Sequence, residues 1–514
     1  MATIFPTLTY VSRFPPHVYT YPLPQSLAKN FGVHAAIVNE IPPAAHDKED
    51  LAVGSNGLSS GRDRINASTP RESQHWVAIH VRSNSYSPET TVIWLPKDRD
   101  TLQRATDAYF QRLNIHRPVF SRPSFDKIVN DLYGGVATMY DPGHVCSVYL
   151  VLALGTLSEL NRRGAAEDHV EKDPTHSLSA ATAKKWMPPN WPGHEEFFEM
   201  ALAIKPSLRV TISSLQALIL LHWYLYTERQ GITLWRLVGS LVRLAIELGL
   251  HHDPTTQINT STQQPLFSEE EQLMRIRLWG IVIVHDRGTS ILLGRPLAIA
   301  PSDSNTPAPQ VRKDADGNVI DVEFSPHFEH SNPVAEIQAD IINSLYCPTR
   351  QDKATIMRHA TRIIKKFQEF RKRMPEKYQY YFGGTEEWTL ERKTKLVKEI
   401  TEDEGLTLLK IGIARILLLR ALFSSKELPY EQRRQALVDG KSYMPFPSSI
   451  QLTMSKRLSL RTTPSLFITN LFASLRLVSS LPLPRCTLPQ WSSFMVRHPN
   501  VTAYRKIPRW KIYG

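Results

Sequence analysis

The chain has 514 residues, of which 42% are hydrophobic, and this is enough for a large core or for two to three packed units. Its net charge of +12 lies almost wholly in residues 441–514, which hold eleven Lys or Arg and no Asp or Glu. The remaining chain is nearly neutral, so its bulk charge gives no reason to expect a DNA-binding surface there. The three cysteines, Cys146, Cys347 and Cys486, are too far apart for a disulfide framework or a local metal site, and they fit a reducing compartment.

Residues 1–98 are rich in Pro, Ser, Gly and Asn, with linker-like stretches such as EIPPAAHDKED and GSNGLSSGRDRINASTP. This composition predicts a mostly disordered N-terminal segment. Its first residues have no charged region followed by an apolar run, so no secretion signal is expected. Within the segment, HWVAIHVR and TTVIWLP are extended runs that predict a short hairpin.

From Arg99 the apolar residues recur with the period of an α-helix, and residues 99–310 are predicted to form the core of an all-α domain. GHVCSVYLVLALGTLSELNRR is apolar on nearly all sides, which predicts a buried helix. EEFFEMALAIK and TISSLQALILLHWYLYTERQG follow after short connections, as expected for antiparallel helices. The apolar windows 215–226 and 281–284 are shorter than the roughly 20 residues that span a bilayer, so core helices are predicted rather than membrane spans.

The next segment, LWRLVGSLVRLAIELGLHHD, has an apolar stripe followed by signals that end a helix. Gly239 is expected to allow the close approach of a neighbouring helix. Gly249 is expected to adopt the left-handed conformation after the helix, and Pro254 prevents its continuation. His251 and His252 then lie near the negative end of the helix dipole, which favours them electrostatically. The HHD triplet is therefore interpreted first as a helix terminus.

A metal site is the alternative interpretation of these histidines. A metal-dependent phosphohydrolase of the HD type would place His222, the pair His252 and Asp253, and the pair His285 and Asp286 around a divalent ion. Against it, His222 lies in an apolar run that is typical of a hydrogen-bonded core histidine, and Asp253 precedes a proline at a helix exit.

The stretch EEEQLMRIRLWGIVIVHDRGTSILLGRPLAI is predicted to be a long helix. Ser268 and Glu271 form a capping-box pattern at its start, and Glu271 and Arg275 are spaced for an ion pair. Asp286 is expected to pair with Arg277 or Arg295 inside the apolar surroundings, although a ligand-binding arginine is the alternative. Gly294 and Pro296 are expected to end the helix.

Residues 311–350 are predicted to be a loop-rich linker, and residues 351–425 the C-terminal helices of the same domain. The helix 352–374 is amphipathic, and its polar face carries Lys365, Lys366, Arg371 and Lys372. That face is expected to be solvated, with contact to phosphate or an acidic partner as the alternative. The basic tail, residues 426–514, keeps no regular period. It is interpreted either as an arm that binds phosphates or a membrane surface, or as a segment outside the evolved fold, such as a gene-model artefact.

Five blocks carry a family resemblance between about residue 100 and residue 310. They are AYFQRLNIHRPVFSRPSF, LVLALGTL, SLQALILLHWYLY, LWRLVGSLVRLAIELGLHHD and EEQLMRIRLWGIVIVHDRGTSILLGRPLAI. Together and in this order they resemble the regulatory domain of fungal-specific zinc-cluster transcription factors of the xylanolytic-activator type. The family-signature residues, expected to be structural, are Arg277, Trp279, Asp286, Arg287, Gly294, Arg295, Pro296, Gly239 and Gly249.

The resemblance implies a transcriptional regulator in the nucleus that works through conformation and partners such as the transcription machinery, co-regulators or a second copy of itself. In that family DNA is bound by an N-terminal module in which six cysteines hold two zinc ions. This sequence has no cysteine before Cys146, so zinc and direct DNA binding are not expected of it, and no cofactor is expected.

No phosphate loop, nucleophile elbow or cysteine–histidine zinc spacing is present in the sequence, which favours a non-enzymatic function. If a ligand binds, it is expected between helices, where Trp223, Tyr224, Trp235 and Trp279 are the candidate pocket walls. A helical adaptor without a role in transcription remains the third hypothesis, beside the regulator and the hydrolase.

Overall fold

The computed structural model describes residues 75–82, 90–134, 141–167, 191–205, 208–227, 231–259, 262–311, 324–376, 378, 391 and 400–433. Within these ranges the regular structure is α-helical apart from one hairpin and two short 3-10 helices, which confirms the all-α prediction. The predictions for residues 1–74 and for the tail from residue 434 onward lie outside the described residues. The helices are α1 (Arg99–Arg112), α2 (Arg122–Tyr133), α3 (Pro142–Glu167), α4 (His194–Ile204), α5 (Ile212–Thr227), α6 (Gly231–Glu247), α7 (Glu269–Leu293), α8 (Pro326–Leu345), α9 (Lys353–Arg373) and α10 (Glu402–Ser424).

The hairpin consists of two antiparallel strands, β1 (Trp76–Arg82) and β2 (Thr90–Pro96). It is anchored on the helices, because the hydroxyl of Tyr149 donates to the carbonyl of Trp94 at 2.8 Å and that of Tyr133 to Pro96 at 2.6 Å. The hairpin therefore packs on the helical body, although the sequence assigned it to the segment before residue 99.

Helix α3 is central to the first half of the body, where it packs against α1, α4 and α5. Its backbone lies so close to α1 that a Cβ atom added at Gly155 would be 2.0 Å from the carbonyl oxygen of Ala105. The first 19 residues of this helix, Pro142–Leu160, are long and apolar enough to cross a membrane, but 89% of that window is buried inside the protein. Burial by its neighbours gives it the environment of a core helix.

The predicted loop-rich linker 311–350 is wrong in part, because it contains the 20-residue helix α8. Helix α8 has Pro326 in its first turn and Pro333 in its interior, and together with polar residues such as Asn332 these gave it the appearance of a loop. Packing decides the structure here. Buried apolar residues recur at helical spacing and face α7, α9 and α10; they are Phe328, Val334, Ile337, Ile341 and Ile342.

The buried apolar residues form two clusters. The first joins the hairpin, helices α1 to α7 and the start of α8 at Phe328, and the second joins the rest of α8 with α9 and α10. Helix α7 contributes to both, since Leu278 and Trp279 lie in the first cluster and Ile291 lies in the second. The two clusters thus meet along the C-terminal half of α7.

Candidate functional site

Helix α6 ends as the sequence predicted. Gly249 has a φ of +72°, its N–H donates to the carbonyl of Ile246, and the N–H of Leu250 donates to the carbonyl of Ala245. These two bonds define a Schellman motif. The HHD triplet follows as a turn, in which the carboxylate of Asp253 accepts from the N–H of Thr255 at 2.9 Å. The interpretation of this triplet as a helix terminus is confirmed.

The expected close approach of another helix at Gly239 is absent, since an added Cβ would meet no atom of the described chain within 4 Å beyond its sequence neighbours and the backbone of its own helix. The two glycines of this segment therefore predict opposite effects. We expect Gly249→Ala to lower the free energy of unfolding by about 1–2 kcal/mol, because alanine is strained at positive φ. We expect Gly239→Ala to raise it by up to about 1 kcal/mol, because alanine has the higher helix propensity. Urea unfolding of both variants measures the difference, and equal midpoints would contradict it.

Of the residues that a metal-dependent hydrolase would need, the structure brings His222 and His285 together, but it places the two aspartates in different surroundings. Asp253 belongs to an exposed turn, whereas Asp286 is completely buried in α7. The part of the chain that the structure describes contains no group of three or more His, Cys, Asp or Glu side chains that could hold a metal ion. The six-cysteine zinc cluster of the family that the sequence resembles does not fit this sequence, because the sequence has three cysteines. One of them, Cys146, is buried in α3 with its thiol facing the carbonyl of Ala201.

Asp286 pairs with the adjacent Arg287, so the prediction of Arg277 or Arg295 as its partner is wrong. The carboxylate also accepts from the N–H of Ala298 at 2.9 Å and of Ile299 at 3.3 Å. Burial raises the pKa of Asp286, and Arg287 and the two amides partly offset this rise. The sequence could not show this arrangement, because the chain has to fold back after α7 before the two amides reach the carboxylate.

Further family-signature residues lie where the chain folds back after α7. Gly294 ends α7 in the left-handed conformation with a φ of +61°, as predicted, and Ser290 donates its hydroxyl hydrogen to the carbonyl of Pro296 at 3.1 Å. The guanidinium of Arg295 lies 5.9 Å from the ring centre of Trp235. At the start of α7, Ser268 caps the helix, while Glu271 pairs with Arg275 rather than completing the capping box.

A cavity of about 200 Å³ lies where α5, α7, α8 and α10 meet, next to the turn after α1. Of the four predicted pocket walls, only Trp223 lines it. Tyr224 and Trp279 are buried in the core, and Trp235 lies beneath Arg295. The cavity is built from five separate segments of the chain, around residues 112–117, 222–226, 284–291, 327–338 and 406–413.

Two cations face this cavity without a carboxylate partner among the described residues. Arg117 lies over the ring of Trp223, with its guanidinium carbon 4.7 Å from the ring centre, and Lys410 enters from α10. Two further basic side chains of the lining are already paired: Arg112 with Glu159 at 2.9 Å, and His116 with the carboxylates of α10, Asp403 at 3.3 Å being the nearer. None of the described lining residues is Asp or Glu.

Besides His116, three histidines line the same space. His222 shares a hydrogen bond with the hydroxyl of Thr289 at 2.9 Å through Nε2, while its Nδ1 has no partner in the described chain. The imidazole of His285 lies 4.6 Å from that of His222, is 3% exposed, and has no hydrogen-bond partner at either nitrogen within the described ranges. His327 lies between the hydroxyls of Thr407 and Ser331. The cavity therefore holds unused hydrogen-bonding capacity.

Burial shifts the pKa values of these groups toward their neutral forms. It lowers the pKa of Lys410 to about 7 and that of His222 to about 3, and in both cases the charge of Arg117 adds to the effect. The pKa values of His285 and His327 are also lowered, first by burial and then by neighbouring cations. At neutral pH the cavity thus contains, besides the paired Arg112 and His116, the permanent cation of Arg117, the amine of Lys410 near its titration point and the neutral imidazoles of His222, His285 and His327.

The predicted basic face of α9 is used in part for packing. Lys366 and Arg362 both pair with Asp340 of α8, at 2.7 Å and 2.6 Å, and lower the pKa of that carboxyl. Lys365 is 76% exposed and lies 3.9 Å from Glu369. This face therefore helps to hold α9 on α8, and only part of it is open to solvent.

Comparison with known proteins gives one family match. The model of the fungal specific transcription factor domain matches residues 106–371, from α1 into α9. The chain is 25% identical over 273 residues to a protein of Emericella nidulans named "Positive regulator of purine utilization", covering 46% of this chain and 25% of that protein. It is 26% identical over 268 residues to an uncharacterized transcriptional regulatory protein of Schizosaccharomyces pombe, covering 50% of this chain and 29% of that protein.

A shorter match is 33% identical over 101 residues to a Zn(2)-C6 fungal-type transcription factor of Monascus ruber, covering 20% of this chain and 11% of that protein. No solved structure matches the chain significantly. The chain therefore spans only a quarter to a third of the length of the first two of these relatives.

Proposed function

Since this chain belongs to the fungal specific transcription factor domain family, we propose that it is a transcriptional regulator whose helical body carries the regulatory function. The observation that carries the proposal is the extent of the family match. Residues 106–371 include α2 to α8, and the cavity is lined largely from within this range.

The proposed mode of action is conformational rather than catalytic. The helices form two apolar clusters that meet along α7. A conformational change in one cluster can therefore shift the packing of α7 and so alter the other cluster. Contacts with co-regulators or the transcription machinery in the nucleus would then transmit this state. In this proposal DNA contact would come from a zinc-cluster module, as the family resemblance implies, and not from the described helices; one relative is named a Zn(2)-C6 fungal-type transcription factor.

A tethered reporter tests this function. The full 514-residue chain is fused to a heterologous DNA-binding domain and expressed in a fungal host with a promoter that carries the matching sites. We expect a several-fold change in reporter output relative to the DNA-binding domain alone, and none at a promoter without the sites. An adaptor without a role in transcription would leave the output unchanged although the fusion is expressed and nuclear, and that result would overturn the proposal.

A further inference from the structure

The cavity between α5, α7, α8 and α10 has the features of a ligand site that its neighbours in the protein leave unfilled. We infer that it binds a small organic acid, with the acid group against Arg117 and Lys410 and the apolar part against the aliphatic walls of the second cluster. The binding itself is inferred from the cavity. Its consequence, a change in regulatory output, rests on the function proposed above.

The charge of the cavity selects an anion. Arg117 and Lys410 approach the same space, and the described lining offers them no carboxylate. Removing a cation from water costs free energy unless the cation is paired. Arg112, which also lines the cavity, has such a partner in Glu159, whereas Arg117 and Lys410 have no carboxylate among the described lining residues. An incoming carboxylate would supply the missing charge. It would also favour the protonated form of Lys410, whose pKa burial lowers to about 7.

The unsatisfied hydrogen-bonding groups of the cavity are a second, independent indication of a bound ligand. Buried polar groups are normally satisfied, yet His285 is almost fully buried and neither of its ring nitrogens has a partner in the described chain. The ring of His222 lies next to that of His285, and its Nδ1 also has no hydrogen-bond partner in the described chain. Neutral imidazoles can donate through the protonated nitrogen, so a ligand with acceptor oxygens matches both the cations and the histidines.

The size and the apolar walls restrict the ligand further. A volume of about 200 Å³ is below the 300–1,000 Å³ of pockets for drug-sized molecules, so the ligand has to be compact. Ile291, Leu409 and Ile413 also line the cavity, which provides a surface for an apolar group. A bare inorganic ion would leave this surface unused, and the structure therefore favours an acid with a small hydrocarbon part.

Because the lining comes from both apolar clusters, a bound acid would connect them. Ile291 and Ile413 belong to or pack against the second cluster, whereas Leu113 and Trp223 belong to the first. A ligand that contacts both sides binds the folded arrangement better than the unfolded chain and stabilises it. This is the physical link between occupancy of the cavity and the conformation of the helical body.

Calorimetric titration of the purified full chain tests the inference. The probes are benzoate and hexanoate as organic acids, benzamide as the neutral counterpart of benzoate, and inorganic phosphate as an ion without an apolar part. We expect at least one acid to bind with a Kd below about 1 mM. We expect benzamide and phosphate to bind at least about tenfold more weakly than that acid, a difference of 1.4 kcal/mol.

Variants locate the binding site. Lys410→Met removes one cation and keeps the length of the side chain, and we expect it to weaken acid binding at least about tenfold. Arg117→Met should do the same, while Lys365→Met on the exposed part of α9 should leave the Kd unchanged. Circular dichroism confirms that each variant is folded.

Three results would overturn the inference: no binding of either acid, equal binding of benzoate and benzamide, or acid binding that Lys410→Met leaves unchanged. Binding of phosphate without either acid is a case of the first result, since the site would then take a bare ion. These binding measurements do not use the reporter. A negative binding result therefore does not affect the function tested by the tethered reporter, and an unchanged reporter output does not affect the binding result.

Discussion

The Asp286→Ala variant is expected to lose about 3–5 kcal/mol of its free energy of unfolding. Asp286 is completely buried, and its carboxylate is the partner of Arg287 and of the N–H groups of Ala298 and Ile299. Alanine would leave a buried cation and two backbone donors without their acceptor, and each of these carries a cost in desolvation.

Two further variants separate the charge from the hydrogen bonds. Asp286→Asn keeps an acceptor oxygen and should lose less stability than alanine. The double variant Asp286→Ala, Arg287→Met removes the uncompensated cation as well, so we expect it to unfold at a higher denaturant concentration than Asp286→Ala alone. Guanidinium unfolding of the set measures this. A loss below about 1 kcal/mol for Asp286→Ala would contradict the structural role of this pair.

The Lys410→Met variant is expected to be more stable than the wild type without ligand, by about 1–4 kcal/mol at pH 6.5. Burial lowers the pKa of Lys410 from 10.5 to about 7, which means that the folded protein holds the charged amine at a cost. Arg117 adds to this cost, and the neutral histidines at 222, 285 and 327 do not offset it. Methionine fills the same space without a charge.

The pH dependence follows from the direction of that shift. Between about pH 7 and pH 10.5 the unfolded chain binds more protons at Lys410 than the folded chain does, so the wild type gains stability from this group as the pH rises. The advantage of Lys410→Met is therefore largest at and below pH 7 and shrinks toward pH 10.5. Lys410 is one of the cations that lower the pKa values of His285 and His327, but burial is the first cause of both shifts and keeps these histidines neutral in both proteins above pH 7.

Urea unfolding at about pH 6.5 and about pH 9.5 measures this prediction, with Lys365→Met as the matched control on the exposed part of α9. We expect no change in the control at either pH. A Lys410→Met protein that is less stable than the wild type at the lower pH would contradict the prediction, because it would mean that Lys410 has a favourable ionic partner in the folded protein.

The sequence predicted those parts of the fold that depend on local signals. The all-α class, the buried nature of α3, the left-handed residues at Gly249 and Gly294 and the cap at Ser268 are each determined within a few neighbouring residues. The hairpin is a similar case, since its two extended runs are adjacent in the chain. Periodicity and capping residues are sufficient for predictions of this kind.

Features that depend on long-range packing were missed. Helix α8 was assigned to a linker because Pro333 and the polar residues beside it outweighed a weak apolar period, which only the neighbouring helices make effective. The partner of Asp286 depends on how the chain returns after α7. The cavity could not be found at all, because Arg117, His222, His285 and Lys410 are widely separated in sequence and no local spacing connects them.

The central claim is that the helical body of this chain carries a transcriptional regulatory function. The most direct measurement compares three tethered full-length fusions at equal protein levels: the wild type, Asp286→Ala, which should disrupt the body, and Gly239→Ala, which should keep it intact. We predict that the wild type and Gly239→Ala change reporter output equally and that Asp286→Ala loses most of the change. A wild type without any effect, or an Asp286→Ala fusion with the full effect, would contradict the claim.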